Sequence, residues 1–414
     1  MPRLLSLNTY HYRRGGSDVA FLESDKLFAG LGWETAVFAM HHPKNEPSPW
    51  SEYFVDELEL GSNYTLAKKI GMTTKVVYSF EARKKLARLL DGWRPDIAHS
   101  HCIYHHISPS VLSLLHKRGI PTVMTAHDLK LACPAYKMLN DRGICERCKH
   151  GNLMNVALHR CIHGSLGMSS LIMVESVVHR MLGLYRHNLD RVIVPSRFYG
   201  EKLAEWGWPR DKLVHIPNFI EADNFVPQYE PGKYFLYFGR LAPEKGVDKL
   251  IRAVKGLCVA LKIAGVGPSE SELHKLAGQD GNIEFLGHCS GDRLWQLVRQ
   301  SRAVVLPSQW YENAPLSILE SYASGKPVIG ARIGGIVEMV RDGESGFLFD
   351  PGSADDLAAK LSNAASLPEI RLKEMGEFAR RHVATRFTRA RFISGTLKLY
   401  AELGVDISSH SNTG

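Results

Sequence analysis

Short apolar runs alternate with longer segments of mixed apolar and polar residues along the whole chain. The apolar runs fall at residues 4–7, 34–40, 97–100, 122–126 and 190–195, and then at 234–238, 260–264, 283–286, 303–306 and 327–329. Most are rich in Val, Ile, Leu or Phe, and a loop with Gly, Pro or polar residues follows, which is typical of strands buried on both faces of a parallel sheet. The pattern predicts an α/β fold with two facing Rossmann-like domains.

The length and the punctuation of the chain define its predicted domains. A chain of 414 residues is too long for one compact core and suits two domains of about 150–200 residues each. We assign residues 1–195 to an N-terminal domain with an insertion at about 133–163, and residues 196–385 to a C-terminal domain. Residues 386–414 are predicted to form a helix that packs back towards the N-terminal domain, followed by a polar tail.

Charge and hydropathy narrow the classes of partner that the protein is expected to bind. The net charge is +8, of which residues 1–190 carry +6, with 23 Lys and Arg against 17 Asp and Glu. This excess suits an anionic partner such as a phosphate or an acidic membrane surface, and a solvated basic face is the alternative. Aromatic residues do not interleave with the cations, so we expect no nucleic acid. With no apolar run of membrane-spanning length and no signal peptide, we expect a cytoplasmic protein.

The segment 238–246 follows an apolar run and contains two cations in one short loop. Gly239 and Gly246 allow tight turns, and Arg240 and Lys245 offer a planar fork and a point charge to phosphate oxygens. Ligands of open α/β sheets bind where strands end. The loop therefore suits a diphosphate, and the alternative is an ordinary surface turn.

The segment 310–320 predicts a second part of the same site. Pro315 is placed as the first residue of a helix, which leaves backbone N–H groups free for an anion at the helix entrance. Glu312 in the preceding loop and Glu320 inside the helix suit sugar hydroxyls. Gly265 and Gly267, at the end of another strand, allow the chain to pass close to a flat base, or they form a simple tight turn.

These two segments resemble the hallmark motifs of the retaining GT-B glycosyltransferases of family 4, including those that build bacterial surface polysaccharides. Segments 194–196, 216–218, 264–268 and 334–338 extend the similarity over nearly the whole chain. The resemblance implies that Arg240 and Lys245 hold the donor diphosphate, while Glu320 binds the ribose and Glu312 the transferred hexose. It also assigns phosphate or sugar oxygens to backbone N–H groups near the helix entrance, so that the donor-binding residues there are Asn313, Ala314, Pro315 and Leu316.

The first half of the chain supplies the other side of the predicted cleft. Gly15 and Gly16 follow the first strand without forming a G-x-G-x-x-G fingerprint, so a nicotinamide cofactor has little support. The resemblance places both glycines opposite the donor phosphate and the acceptor, and it places His127 near the transferred sugar. The alternatives are a simple loop and a structural histidine.

The resemblance also implies a mechanism. The anomeric configuration is retained by attack from the same face, and the leaving phosphate takes the proton of the acceptor. The two cations and the helix N-terminus stabilise the departing diphosphate. The sequence contains no Asp-x-Asp, the metal-binding signature of the other major glycosyltransferase fold. We therefore expect metal-independent catalysis with no required cofactor, and a binding role for Glu312.

Four of the seven cysteines lie in the insertion, at Cys133, Cys145, Cys148 and Cys161. The short Cys-x2-Cys pair with two further thiols favours a tetrahedral structural zinc, and neighbouring basic residues would offset the thiolate charge. The alternative is four reduced thiols, because disulfides are rare in the cytosol.

The acceptor is predicted to be a glycan or a lipid-linked molecule. Residues 66–90 combine seven cations with apolar residues and suggest a basic amphipathic helix that contacts an anionic membrane, or an ordinary surface helix. Three rival functions share the scaffold: a sugar-nucleotide epimerase, a phosphorylase, and a binding subunit without catalysis. A phosphorylase lacks support because no pyridoxal-phosphate lysine is evident.

Overall fold

A computed structural model describes residues 1–57, 75–140 and 142–407. In chain order its strands are β1 (Arg3–Leu7), β2 (Glu34–Phe38), β3 (Ile97–Ser100), β4 (Thr122–Thr125), β5 (Leu139–Asn140), β6 (Gly143–Ile144), β7 (Arg191–Val194), β8 (Leu213–His215), β9 (Tyr234–Phe238), β10 (Ala260–Ala264), β11 (Ile283–Gly287), β12 (Ala303–Leu306), β13 (Val328–Ala331) and β14 (Gly346–Phe349). The strands form two six-stranded parallel sheets and one short antiparallel hairpin, β5–β6.

Helices cover the faces of both sheets. They are α1 (Gly16–Gly30), α2 (Phe80–Gly92), α3 (Ser110–Lys117), α4 (Met154–Leu158), α5 (Leu166–Met181), α6 (Arg197–Glu205), α7 (Val247–Val254), α8 (Glu270–Ala277), α9 (Gly291–Arg299), α10 (Leu316–Ala323), α11 (Ile336–Met339), α12 (Ala354–Ser366), α13 (Glu369–Arg386) and α14 (Arg389–Glu402). Ser79, Ser165, Ser196, Ser353 and Thr388 begin five of them as N-caps, each accepting a backbone N–H with its hydroxyl.

The strand orders place two crevices in the molecule. The sheets run β2-β1-β3-β4-β7-β8 and β11-β10-β9-β12-β13-β14. In each sheet, the chain adds strands first on one side of its first strand, β1 or β9, and then on the other side. This change of direction opens a crevice at the carboxyl ends of the strands. The crevices lie between β1 and β3 and between β9 and β12. The loops after β1, β9 and β12 contain most of the predicted site residues, and His127 and the pair Gly265 and Gly267 follow the adjacent strands β4 and β10.

The predicted α/β fold with two Rossmann-like domains is confirmed, and two strands of the six-stranded sheets were missed, as was the short β5–β6 hairpin. β8 has only three residues and β14 begins at a glycine, so neither forms a long apolar run. β8 pairs with β7 and completes the first sheet, so this sheet extends beyond the predicted domain boundary at residue 195. The first domain therefore continues at least to His215.

The last helix lies against the first domain. Leu397, Leu399 and Tyr400 of α14 share one buried apolar cluster with Leu4 of β1 and Phe28 of α1. The Tyr400 ring stacks on Phe28 with a centroid distance of 5.5 Å, and its hydroxyl lies 2.7 Å from His99 Nδ1. The chain thus returns to the first domain after completing the second.

Part of the predicted basic helix at 66–90 lies outside the described residues. In the remainder, Lys75 and Lys85 pair with Glu81 at 2.6 and 3.1 Å, and Arg83 donates to Ser113 on α3 at 2.8 Å. α2 itself begins only at Phe80. These three cations are engaged within the protein, whereas Lys84 and Arg88 are exposed, and contact with a membrane stays a prediction.

Candidate active site

The loop after β9 lies at the crevice of the second sheet. Gly239 has φ +145° and leads into Arg240, and a short 3₁₀ turn at Pro243–Lys245 follows. Gly246, at φ +66°, then begins α7, and a Cβ there would lie 2.0 Å from the carbonyl oxygen of Pro307. The positive φ and this close approach both require glycine. The loop is therefore fixed against the segment that follows β12.

Lys245 and Glu312 meet across the crevice. Lys245 Nζ donates to Glu312 Oε1 at 2.7 Å, and Ser308 Oγ donates to the same oxygen at 2.6 Å. Burial raises the pKa of the Glu312 carboxyl, but the charge of Lys245 and the two hydrogen bonds outweigh it and lower the pKa below its usual value. Glu312 is therefore an anion at neutral pH, and it orients the ammonium of Lys245.

A second ion pair holds Arg240. Its guanidinium donates to the buried carboxylate of Glu244, which also pairs with Lys137 at 3.2 Å. Lys137 belongs to the insertion of the first domain, so this pair crosses between the domains. Burial raises the pKa of Glu244, and the charges of Lys137 and Arg240 help to lower it below its usual value. Arg240 keeps 57% of its side chain exposed and can reach a ligand.

The helix entrance lies beside these cations. Pro315, predicted as the first helical residue, precedes the helix: it occupies the N-cap position with extended backbone, and α10 begins at Leu316. No side chain caps this end, so the first backbone N–H groups of α10 remain available to an anion. Ala314 is buried, and its carbonyl accepts a hydrogen bond from Asn218 at 3.0 Å.

Glu320 lies one turn inside α10. Burial raises the pKa of its carboxyl to about 7, whereas Glu312 is held ionised. Within the described parts of the chain, no hydrogen bond or ion pair of the Glu320 carboxyl is found. The predicted partners of sugar hydroxyls thus differ: one carboxylate is engaged with a lysine and the other is uncommitted.

Gly265 and Gly267 pack against the Arg240 loop. A Cβ at Gly265 would lie 1.9 Å from the carbonyl oxygen of Gly239, and one at Gly267 would lie 2.2 Å from that of Leu241. Gly239 and Leu241 also donate backbone hydrogen bonds to Ala264 and Val266. The close approach that requires glycine here is between two loops of the protein. Contact of Gly265 and Gly267 with a base stays a prediction.

Gly15 and Gly16 face the second domain. Gly15 is the N-cap of α1 and has no side-chain cap, and Leu316 Cδ1 lies 3.8 Å from where a Cβ of residue 16 would be. The start of α1 therefore lies against the start of α10. Two uncapped helix N-termini converge at the cleft, and each favours a negative charge there.

His127 belongs to a row of three histidines in the first domain. Its Nε2 lies 2.8 Å from Nδ1 of His101, and His101 stacks on His99 with a centroid distance of 4.6 Å. Burial lowers the pKa of His127 to about 4 and that of His99 to about 3. Burial and the neighbouring imidazoles also lower the pKa of His101 well below its usual value. All three rings are neutral at physiological pH, so they act as hydrogen-bonding groups.

Asn313 joins the two domains. Its side chain donates to the carbonyl oxygen of Ala126 at 2.8 Å and accepts from Ser196 Oγ at 2.9 Å. The side-chain amide of Asn313 is thus engaged by the backbone beside His127. A role in donor binding is left to its main chain.

All four cysteines of the insertion line one small cavity of about 20 Å³, together with His159. Burial raises the pKa of Cys133 to about 11 and that of Cys148 to about 12. Within residues 1–57, 75–140 and 142–407, no three His, Cys, Asp or Glu side chains are arranged to hold a metal ion. The thiols gather as predicted from their spacing, but their present geometry does not fit a metal, and zinc stays a prediction.

The structure adds three site residues that the sequence reasoning missed: Lys137, Glu244 and His101. Glu244 lies inside the predicted cationic loop, and a carboxylate between two cations could have been recognised there as an ion-pair partner. Lys137 and His101 become neighbours of the site only through the fold. Among the described residues, no helix is long and apolar enough to cross a membrane.

Two family profiles together match residues 14–382. The profile described as Glycosyltransferase Family 4 matches residues 14–224, about half of the chain, and that of Glycosyl transferases group 1 matches residues 219–382. An uncharacterized glycosyltransferase of Methanocaldococcus jannaschii is 30% identical over 247 residues, which are 58% of this chain and 67% of that protein.

Solved structures share the fold at lower identity. The sucrose-phosphate synthase of Thermosynechococcus elongatus superposes with a TM-score of 0.71 at 18% identity, covering 98% of this chain and 99% of that one. The HepE protein of Anabaena, in complex with UDP and glucose, has a TM-score of 0.66 at 17% identity, covering 98% and 100%. At these identities the similarity shows the two-domain GT-B fold alone.

Proposed function

This chain belongs to glycosyltransferase family 4 and has the GT-B fold, and from that premise we propose that it transfers a hexose from a nucleotide-diphosphate sugar to a glycan or lipid-linked acceptor. Polysaccharide biosynthesis is the setting that the sequence suggests. One observation carries the proposal: Arg240, Lys245 and the uncapped start of α10 meet at the crevice of the second sheet.

The arrangement suits the charge that develops in the reaction. When the sugar–phosphate bond breaks, negative charge grows on the departing diphosphate. Two permanent cations and a helix N-terminus, fixed in place by ion pairs and close packing, stabilise that charge without reorganising. The start of α1 at Gly15–Gly16 adds a second set of free N–H groups from the opposite domain. The HepE structure holds UDP and glucose, which is consistent with a uridine donor.

We propose that the anomeric configuration is retained and that the reaction needs no metal. The basis is the motif resemblance together with the lack of Asp-x-Asp in the sequence. Glu312 is engaged with Lys245 and Ser308, which suits a binding group better than a nucleophile. His127 is neutral and can donate or accept a hydrogen bond at the sugar or at the acceptor hydroxyl. The departing phosphate then receives the acceptor proton.

The test is a panel of UDP- and GDP-sugars incubated with purified protein, with and without a chelator. Slow hydrolysis of one donor, abolished in Lys245→Ala, supports a transferase. The matched control is Lys262→Ala, because Lys262 pairs with Glu284 at 3.0 Å on strands of the same domain, outside the cationic loop. Epimerisation of the donor would favour an epimerase. No turnover and no binding of any donor would overturn the proposal.

A further inference from the structure

The cysteine-rich insertion contacts the donor site, although the proposed reaction gives it no role. Lys137 precedes the β5–β6 hairpin and Glu146 follows it, and we call these two residues with β5 and β6 the insertion hairpin. Lys137 Nζ lies 3.2 Å from Glu244 Oε2, and the Tyr311 hydroxyl donates to Glu146 Oε1 at 2.9 Å. Glu244 lies in the loop after β9, and Tyr311 lies in the loop after β12. One hairpin of the first domain therefore contacts both loops of the donor crevice.

In the loop after β9, the hairpin shares a buried carboxylate with a cation of the donor site. The Glu244 side chain is 2% exposed; one of its oxygens accepts from Arg240, and the other pairs with Lys137. Among the described residues, no third cation forms an ion pair with Glu244. Without Lys137, Arg240 alone would have to compensate the buried charge. Lys137 therefore helps to leave the exposed part of the Arg240 guanidinium available to a diphosphate.

In the loop after β12, the first domain holds the residue before Glu312 at two atoms. The Tyr311 hydroxyl donates to Glu146, whose Oε1 also accepts from Lys202 at 2.9 Å. The carbonyl oxygen of Tyr311 accepts from the Tyr199 hydroxyl at 2.9 Å. Burial and the hydrogen bond to Glu146 raise the pKa of Tyr311 to about 12, so its hydroxyl stays protonated and donates. The position of Glu312 thus depends on contacts with the first domain.

The backbone on both sides of Lys137 has an uncommon conformation. Tyr136 has φ +54° and Met138 has φ +46°, left-handed angles that residues with a side chain rarely adopt. Such strain persists only where surrounding contacts fix the backbone, and it concentrates at sites that hold ligands. Met138 is buried in the wall of the cysteine-lined cavity, and its carbonyl oxygen accepts from the Cys145 N–H at 2.8 Å. The insertion therefore holds Lys137 in a fixed place.

We propose that the insertion hairpin is a clamp on the donor site, in which Lys137 and Glu146 are positioning residues. They act through Glu244 and Tyr311 on the loops that carry the cations and Glu312, without touching the donor themselves. Because both contacts cross between the domains, full affinity for a nucleoside diphosphate requires the first domain to lie against the second. The inference rests on the proposed function and adds two residues outside the motif segments. A hairpin that only stabilises the interface would leave nucleotide affinity unchanged.

Nucleotide binding measured by calorimetry tests the Lys137 contact. Each protein is titrated with UDP and with GDP, and the nucleotide that wild type binds is the probe. Lys137→Ala should weaken its affinity about fivefold, the effect of losing one hydrogen-bonded ion pair. Lys137→Arg, which keeps a cation for Glu244, should restore most of the affinity. Lys26→Ala is the matched control for charge, because Lys26 pairs with Glu46 at 3.0 Å within the first domain.

Tyr311→Phe tests the other contact without changing the charge of the protein. Its ring can keep its packing against Phe198, at a centroid distance of 4.8 Å, while the hydroxyl that donates to Glu146 is lost. Nucleotide affinity should fall about threefold, and KM for donor hydrolysis should rise by a similar factor while kcat changes less. Tyr234→Phe is the matched control, because the Tyr234 hydroxyl donates to the carbonyl oxygen of Leu297 inside the second domain at 2.7 Å.

A double variant separates the clamp from a purely structural contact. Glu146→Ala and Tyr311→Phe should be non-additive in nucleotide affinity, because each removes the same hydrogen bond. If Lys137→Ala and Tyr311→Phe lower the free energy of unfolding but bind the nucleotide as tightly as wild type, the hairpin only stabilises the interface and the proposal fails. Wild-type protein that binds neither UDP nor GDP would overturn the proposed function and the clamp with it. Equal binding by wild type and variants would overturn the clamp alone.

Discussion

The two sides of the cleft are built from different chemistry. On the donor side, Lys245–Glu312 and Arg240–Glu244 are ion pairs whose carboxylates have lowered pKa values. On the other side stands a row of histidines whose pKa values burial has lowered, so that they carry no charge. One side holds permanent charge in fixed positions, and the other offers neutral donors and acceptors.

The difference matches the role of each side of the cleft in the proposed reaction. The leaving diphosphate gains negative charge, and fixed cations stabilise it. An acceptor hydroxyl and a sugar ring are neutral, and a cation beside them would compete for the departing phosphate. A neutral imidazole orients such groups through hydrogen bonds alone. Substitutions on the charged side should therefore have larger effects than those on the neutral side.

The largest effect is expected from Lys245→Ala. Loss of a fixed cation beside the developing charge should lower kcat/KM by about 10²–10³-fold. Steady-state kinetics with the donor identified by the panel measure it. Because Lys245 also neutralises the charge of Glu312, the free energy of unfolding of the variant should be measured in urea beside its kinetics. A variant that is normally folded and fully active would remove Lys245 from the site.

Glu312→Gln should follow, with a loss of about 10–10²-fold in kcat/KM, because the neutral amide no longer orients Lys245 and binds a sugar hydroxyl less well. The double variant Lys245→Ala/Glu312→Gln should show strong non-additivity, since the two side chains form one pair. Near-wild-type rates in Glu312→Gln alone would contradict its binding role.

His127→Ala should lower kcat by about tenfold, the smaller loss expected for one neutral hydrogen bond. Since the pKa of His127 is about 4, the wild-type rate should show no His127 titration between pH 6 and 9. His116→Ala, at the last turn of α3, serves as the control. The wild-type rate could instead depend on a group with a pKa near 6.5, and this dependence could be absent in His127→Ala. That result would mean that the imidazole of His127 changes its charge near neutral pH, against the prediction.

We expect Glu320 to make donor binding sensitive to pH. Its pKa is raised to about 7, so the carboxyl is protonated below that pH and ionised above it. Only the ionised form accepts hydrogen bonds from two ribose hydroxyls, so KM for the donor should fall as pH rises from 6 to 8. Glu320→Gln should remove this dependence. The same KM profile in the variant would assign the titration to another group.

The smallest effect is expected from Asn313→Ala, which removes a hydrogen bond between the domains and should lower the free energy of unfolding by about 1 kcal/mol. Asn224→Ala removes a side-chain amide that donates to exposed Glu221, and it should be nearly neutral for stability. Urea denaturation compares the two. If both variants lost the same free energy of unfolding, the hydrogen bond between the domains would make no special contribution to stability.

The same contrast explains what could be predicted from the sequence. Buried parallel strands are apolar on both faces, so ten of the twelve sheet strands appear as runs, whereas three-residue β8 does not. Arg240, Lys245 and Glu312 could be identified because permanent charges in a short loop stand out. The pairing of Lys137 with Glu244 joins residues 107 positions apart and depends on how the domains meet. The neutrality of His127 depends on burial, which no local pattern shows.

The return of α14 to the first domain has a consequence for biosynthesis. Phe28, Trp33 and Ile97 share an apolar cluster with Leu397 and Tyr400, which are translated after the second domain. A ribosome must therefore complete both domains before the first one can close its core. Until then a nascent chain exposes aromatic surface of the kind that chaperones recognise. A fragment that ends near residue 215 should accordingly aggregate, even though it contains every strand of its own sheet.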